Sequence, residues 1–323
     1  MSDNNTALGQ GALTLNTTGL NNTAVGAWSS ALATDGDQNS AFGTNALLNN
    51  DSSSNNTAIG VATLMSITNN SDNNTAVGAN AGEFLTSGSK NNVALGAQAL
   101  SGKDGDDNAS SDNVAVGYQA GMSNSTGQKN TYVGYQAGHS GSVGNNNVCI
   151  GNESGLNSTG DSNAFLGCGS GLNSQGIQNT YIGRAAGKSS LGSTGSNNVA
   201  VGFEAGVNNT SGTNNTYVGY QAGQTGQTGS DNFSNSTAIG ANAQITSNNQ
   251  IMLGGLNDNT YPTVFVYGGI RFPGGLQTMP YTGSTGGGGT TGPTGPTGAP
   301  GPTGTTGHTG APGPGHTGAP GPT

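Results

Sequence analysis

Few residues in this 323-residue chain are of types that do chemistry, and none stands in a complete set. Gly187-Lys188-Ser189 has the ending of a phosphate-binding loop, but that loop needs a glycine five residues before Gly187, where Ile182 stands. Asp104, Asp106 and Asn108, and likewise Asp35, Asp37 and Asn39, start like calcium loops. Both lack the internal glycine, and Ala115 and Ala46 occupy the positions of the closing glutamate. His139 is the one histidine before the C-terminal tail, so a serine nucleophile has little choice of base. Glu153 and Glu204 hold equivalent places in an internal repeat and are the best pair for glycoside hydrolysis. Three coils separate them, roughly 14 Å at ~4.8 Å per coil against the ~5–9.5 Å such chemistry uses. Cys149 and Cys168 sit too far apart along their strands for a disulfide and read as packing residues. No catalytic residue, metal or cofactor is expected, and the chain reads as a non-enzyme.

The elements that carry these residues form a repeat. Words such as Asn22-Thr23-Ala24-Val25-Gly26 recur about every 17 residues. Their closing glycines are Gly9, Gly26, Gly43, Gly60, Gly78, Gly96, Gly117, Gly134, Gly151, Gly167, Gly183, Gly202, Gly219, Gly240 and Gly254. A large apolar residue precedes each one, and the residue two earlier is mostly β-branched. Positions two apart on a strand share a face. The pattern therefore predicts a buried stripe that includes Val25, Ile59, Val77, Val116, Val133, Ile150, Ile182, Val201, Val218 and Ile239. The residue between, Ala or Tyr in most coils, is expected to face outward and to pack against other chains. Asparagine stands four before the glycine from Asn5 to Asn215, suited to a turn and to side-chain ladders between stacked coils. Recurrent glycine and β-branched residues exclude a helix. The fold class is all-β: a parallel β-solenoid of about fifteen coils over residues 1–255, roughly 70 Å long at ~4.8 Å per coil.

Composition agrees with a thin, repeated core. Glycine fills 61 positions, while charged residues are 7% and aromatics 5% of the chain, too little apolar and charged material for an ordinary thick-cored domain. Six basic against 15 acidic residues, a net charge of −9, exclude a phosphate-binding nucleic-acid surface and disfavour anionic membranes. No apolar run is long enough to insert in a membrane, and no secretory signal is visible. Thr-x-Thr rows facing outward, as an ice-binding surface needs, are not expected, because the threonines alternate with aliphatics read as buried. The Asn-x-Ser/Thr words are candidate glycosylation sites, although the coil asparagines read as structural.

Beyond the repeats, residues 256–282 read as a β cap and linker, with an apolar cluster from Tyr261 to Phe272. Residues 283–323 carry glycine at every third position from Gly283 to Gly313, then after one skipped residue at Gly315, Gly318 and Gly321. Only glycine fits at the axis of three wound polyproline-type chains, so this segment predicts a collagen-like stalk and a homotrimer.

The words Asn22-Thr23-Ala24-Val25-Gly26 and Asn198-Val199-Ala200-Val201-Gly202 resemble the head repeats of YadA-like trimeric autotransporter adhesins. That resemblance covers residues 1–255. It implies a left-handed parallel β-roll, a trimeric head and binding to matrix or host surfaces. The family's secretion signal, coiled-coil stalk and membrane barrel are not seen in this sequence. Similar repeats beside collagen-like segments occur in viral and phage fibres. The expected function is a non-enzymatic structural fibre or adhesin on a virion surface, with a host glycan or protein as receptor. A bacterial or spore surface fibre at the cell surface is the alternative, and a glycan-cleaving phage-type tailspike the alternative of another class.

Overall fold

A computed structural model describes residues 4–103, 109–140, 144–190, 192–223 and 232–255. All lie in one compact unit, Met1–Phe265. The expected cap, the collagen-like stalk and Asp104, Asp106 and Asn108 fall outside the described residues.

The described chain is a parallel β-solenoid without a helix. Fifteen strands of three residues each run from Thr6–Leu8 and Thr23–Val25 to Thr237–Ile239 and Ile251–Leu253. They form one sheet in which each strand pairs with the next in sequence. The register is constant: Thr6 lies beside Thr23, Ala7 beside Ala24, Leu8 beside Val25. Longer coils do not disturb it. Val93 pairs with Val114 although the chain advances 21 positions between them.

Each coil closes through left-handed backbone corners at fixed places. One comes just before the ladder asparagine, as at Asn21 (φ 59°), and two follow the anchor glycine, as at Asn45 (φ 58°) and Leu47 (φ 53°). Asparagine tolerates this conformation better than most residues, which accounts for the paired Asn-Asn words. The anchor glycine itself is required twice over. Gly134 has φ 132°, and a Cβ there would lie 2.5 Å from the carbonyl oxygen of Gly151 in the next coil.

The interior reverses the expected facing of the strands. The middle residue of each strand points inward: Ala24, Ala41, Ala58, Ala76, Ala94 and Ala115, then Tyr132, Cys149, Phe165 and Tyr181, are all buried. The expected core residues face out instead. Ile59, Ile150, Ile182 and Ile239 are exposed, and Val25, Val77, Val116, Val133, Val201 and Val218 are only half-buried. A coil of about 17 residues is too narrow to hold two bulky aliphatics from one strand. It holds one inward strand residue and whatever the opposite wall supplies.

That wall adjusts to what the strand supplies. Where the strand offers alanine, leucine can come from four residues past the anchor glycine, as Leu47, Leu64 and Leu100 do. Where the strand offers a ring, that wall position is glycine. A Cβ at Gly138, Gly171, Gly187 or Gly223 would collide with the ring of Tyr132, Phe165, Tyr181 or Tyr217 respectively. The rings also stack along the axis, Phe165 on Tyr181 at 5.3 Å between centroids. Coils with small residues at both places, Ala115 with Gly121 and Ala200 with Gly206, take in bulk from the next coil, which keeps the interior close-packed. A Cβ at Gly121 would meet the ring of Tyr132, and one at Gly206 the ring of Tyr217.

A polar spine runs beside this core. The backbone N–H of each ladder asparagine donates to Oδ1 of the one before it, from Asn22 to Asn5 (2.7 Å) through Asn113 to Asn92 (3.1 Å) and on to Asn215 to Asn198 (3.0 Å). The side-chain amide donates to a carbonyl of the coil wall, as Asn39 Nδ2 does to Ser53 at 2.9 Å. The ladder expected from sequence is therefore present, and it satisfies a column of otherwise unaffordable buried amides.

Candidate functional site

The outer face of the sheet carries two columns. One holds the residue at the start of each strand, Thr or Val in most coils, with Val114 and Val199 exposed. The other is the large apolar residue before the glycine, with Phe42, Ile59, Leu95, Ile150, Leu166, Ile182, Ile239 and Leu253 exposed. Threonines such as Thr131 and Thr180 therefore do face outward, beside aliphatics rather than beside a second threonine. Parallel sheets are normally covered on both faces, and nothing described covers this one.

Past the bend, the residue after the anchor glycine forms a third outward column. Tyr118 stacks on Tyr135 with centroids 5.6 Å apart, and Phe203 on Tyr220 at 5.3 Å. The Arg184 guanidinium lies 5.4 Å from the centre of the Phe203 ring. Beside the first stack runs an amide ladder: Gln119 Nε2 donates to Gln98 Oε1 and Gln136 Nε2 to Gln119 Oε1, both at 2.8 Å. The same column continues through Glu153 to Glu204, whose carboxylate accepts from Gln221 Nε2 at 2.8 Å.

The residues with chemical potential are dispersed along the stack. At Gly187-Lys188-Ser189 all three backbone N–H groups are already used, donating to Ala205, Ala185 and Leu172, so no anion cradle exists. Gly187 is there to admit the Tyr181 ring. Asp37 accepts the N–H of Leu20 at 2.7 Å, and Asn39 is buried in the asparagine spine, so the Asp35–Asn39 segment is a coil corner. Among the described residues no three His, Cys, Asp or Glu side chains gather to hold a metal. His139 Nδ1 contacts Ser140 Oγ at 2.8 Å, but the one ion pair among the described residues is Lys90 with Asp72. Burial lowers the pKa of His139. Glu153 and Glu204 share a column with Gly169 and Ala185 between them, which keeps them three coils apart in one chain.

Both cysteines are free. Cys149 packs inside, and burial pushes its thiol up to about 12. Cys168 lies on the surface, which corrects its reading as a packing residue. Burial likewise raises the phenols of Tyr132, Tyr181 and Tyr217. For Tyr132 the neighbouring Cys149 adds to that effect, and for Tyr217 the neighbouring Tyr181 does. A hydrogen bond from Asn198 offsets it in part at Tyr181.

No family model matches the chain, and no curated protein matches it. Among the described residues, no helix is long and apolar enough to cross a membrane.

The aromatic and amide column is what sequence reasoning passed over. Its signal was present in the repeated word Gly117-Tyr118-Gln119-Ala120-Gly121, which recurs at 134–138 and 219–223. Reading it needed the stacking of coils to put like residues above one another.

Proposed function

We propose that the chain is a non-enzymatic structural fibre or adhesin in which three solenoids associate through the outward aliphatic column, with the collagen-like segment as a stalk of the same stoichiometry. The supporting observation is the unbroken line of large apolar residues on the uncovered sheet face, from Leu8 through Phe42, Ile59 and Ile150 to Leu253. Contiguous exposed apolar surface on this scale marks an interaction face. It also moves the expected contact between chains from the Ala/Tyr column, which is interior, to the Val/Ile/Leu column. The Gly-X-Y tail demands three strands for its own reasons, which supports the same number. The setting this reading implies is the surface of a virion, or of a cell, with a host glycan or protein as receptor.

Light scattering of the full chain tests the association. A trimer is expected. In the full chain carrying Ile150→Glu and Ile182→Glu, apolar contact is replaced by charge on the outer face alone, so the solenoid's β-sheet circular dichroism should persist while its trimer weakens. A wild-type monomer overturns the reading.

A further inference from the structure

The outward column past the bend has a gap. Tyr135 keeps one ring face on Tyr118, leaving the other directed along the stack toward the next coil. Three coils further on, Arg184 keeps one face of its guanidinium on Phe203. Between them the column carries only Asn152 and Cys168, both exposed and neither filling a rung with a ring. The second column recedes at the same level: Gly169 follows Glu153, and a Cβ at Gly169 would meet nothing within 4 Å. Tyr135 and Arg184 thus bound a notch spanning about 14 Å at ~4.8 Å per coil.

We propose that this notch binds a short neutral oligosaccharide. The ring face of Tyr135, which is 46% exposed, offers a flat apolar platform for the C–H face of a pyranose. Glu153 stands half-buried in the neighbouring column, where a carboxylate accepts from paired hydroxyls, and Asn152, whose Oδ1 faces Cys168 Sγ at 3.8 Å, offers its Nδ2 as a donor. Arg184 enters no ion pair among the described residues, so its guanidinium edge is available to sugar oxygens at the far end. Two flat bounding faces, of Tyr135 and Arg184, with mixed donors and acceptors between them, suit a polyhydroxylated ring. A strongly anionic ligand meets Glu153 and a chain of net charge −9. The binding needs only the geometry of one chain. It depends on the fibre reading solely for the role of receptor, so failure of the trimer would leave it standing.

The test uses the full chain titrated calorimetrically with chitotriose and with cellotriose. Saturable binding of at least one is expected, with a Kd near a millimolar or below. Tyr135→Ala and Glu153→Ala should each weaken it about tenfold, Tyr135→Phe should retain it, and Tyr220→Ala, outside the notch, should leave it unchanged. Cys168→Trp supplies the missing rung and should abolish binding with the thermal melt intact. No saturation by either sugar up to about 10 mM, or wild-type binding retained in both Tyr135→Ala and Cys168→Trp, overturns the proposal.

Discussion

The backbone N–H of Asn39 donates to Oδ1 of Asn22, one coil earlier, at 2.8 Å. The same bond repeats from coil to coil, so a single asparagine serves two neighbours: it closes its own corner through its amide and receives the next coil through its oxygen. The solenoid is held in step by this spine as much as by its sheet.

Removing one asparagine should therefore cost more than one hydrogen bond. Asn56→Ala orphans the N–H of Asn74 and the carbonyl of Ser71, both in buried surroundings. A loss of about 2–6 kcal/mol is expected in denaturant unfolding, at ~1–3 kcal/mol for each of the two buried groups left unpaired. A loss near zero would show that the spine is ornamental.

The exchange of bulk between strand and wall predicts a compensating pair. Tyr181→Ala should cost about 3–5 kcal/mol by opening a cavity. Gly187→Leu alone should also destabilise, because Tyr181 already fills that space. Together they recreate the arrangement of Ala58 and Leu64, where leucine adopts φ 49°, against φ 63° at Gly187. The double variant should melt above either single variant, and a strictly additive loss would refute the exchange.

The anchor glycine offers a contrast within one molecule. Gly134→Ala places a Cβ 2.5 Å from a backbone oxygen that cannot move without shifting the next coil. Gly88→Ala, at φ 89°, meets nothing within 4 Å. Both substitutions strain the backbone by about 1–2 kcal/mol. Only Gly134→Ala adds the collision, so its melting temperature should fall clearly further than that of Gly88→Ala.

Alkaline pH should destabilise the middle of the stack. Tyr132, Tyr181, Tyr217 and Cys149 hold their protons more tightly folded than unfolded. Between the ordinary thiol and phenol values and the raised folded ones, the native state binds more protons, so stability falls as pH rises. The decline begins above pH ~9–10, at up to about 1.4 kcal/mol per pH unit for each group. Tyr181→Phe should flatten it, as measured by melting temperature against pH. At pH 8 a thiol reagent should label Cys168 quickly and Cys149 only on unfolding.

The sequence alone determined the period, the strand positions, the need for glycine at the bend and the asparagine spine. Each is a local requirement that recurs at a fixed interval: Asn22, Asn39 and Asn56 announce a ladder because nothing else explains their spacing. The facing of the strands was not legible. Alternation in Thr23-Ala24-Val25 separates two faces without saying which is inside, and hydrophobicity suggested the wrong one. Only the closed coil decided it, because its width admits one bulky group, and Leu47 or Tyr181 already supplies that group. The same closure turned Val25 and Ile59 outward and lined up Tyr135, Glu153 and Arg184 along one edge, since residues from successive coils become neighbours only once those coils stack.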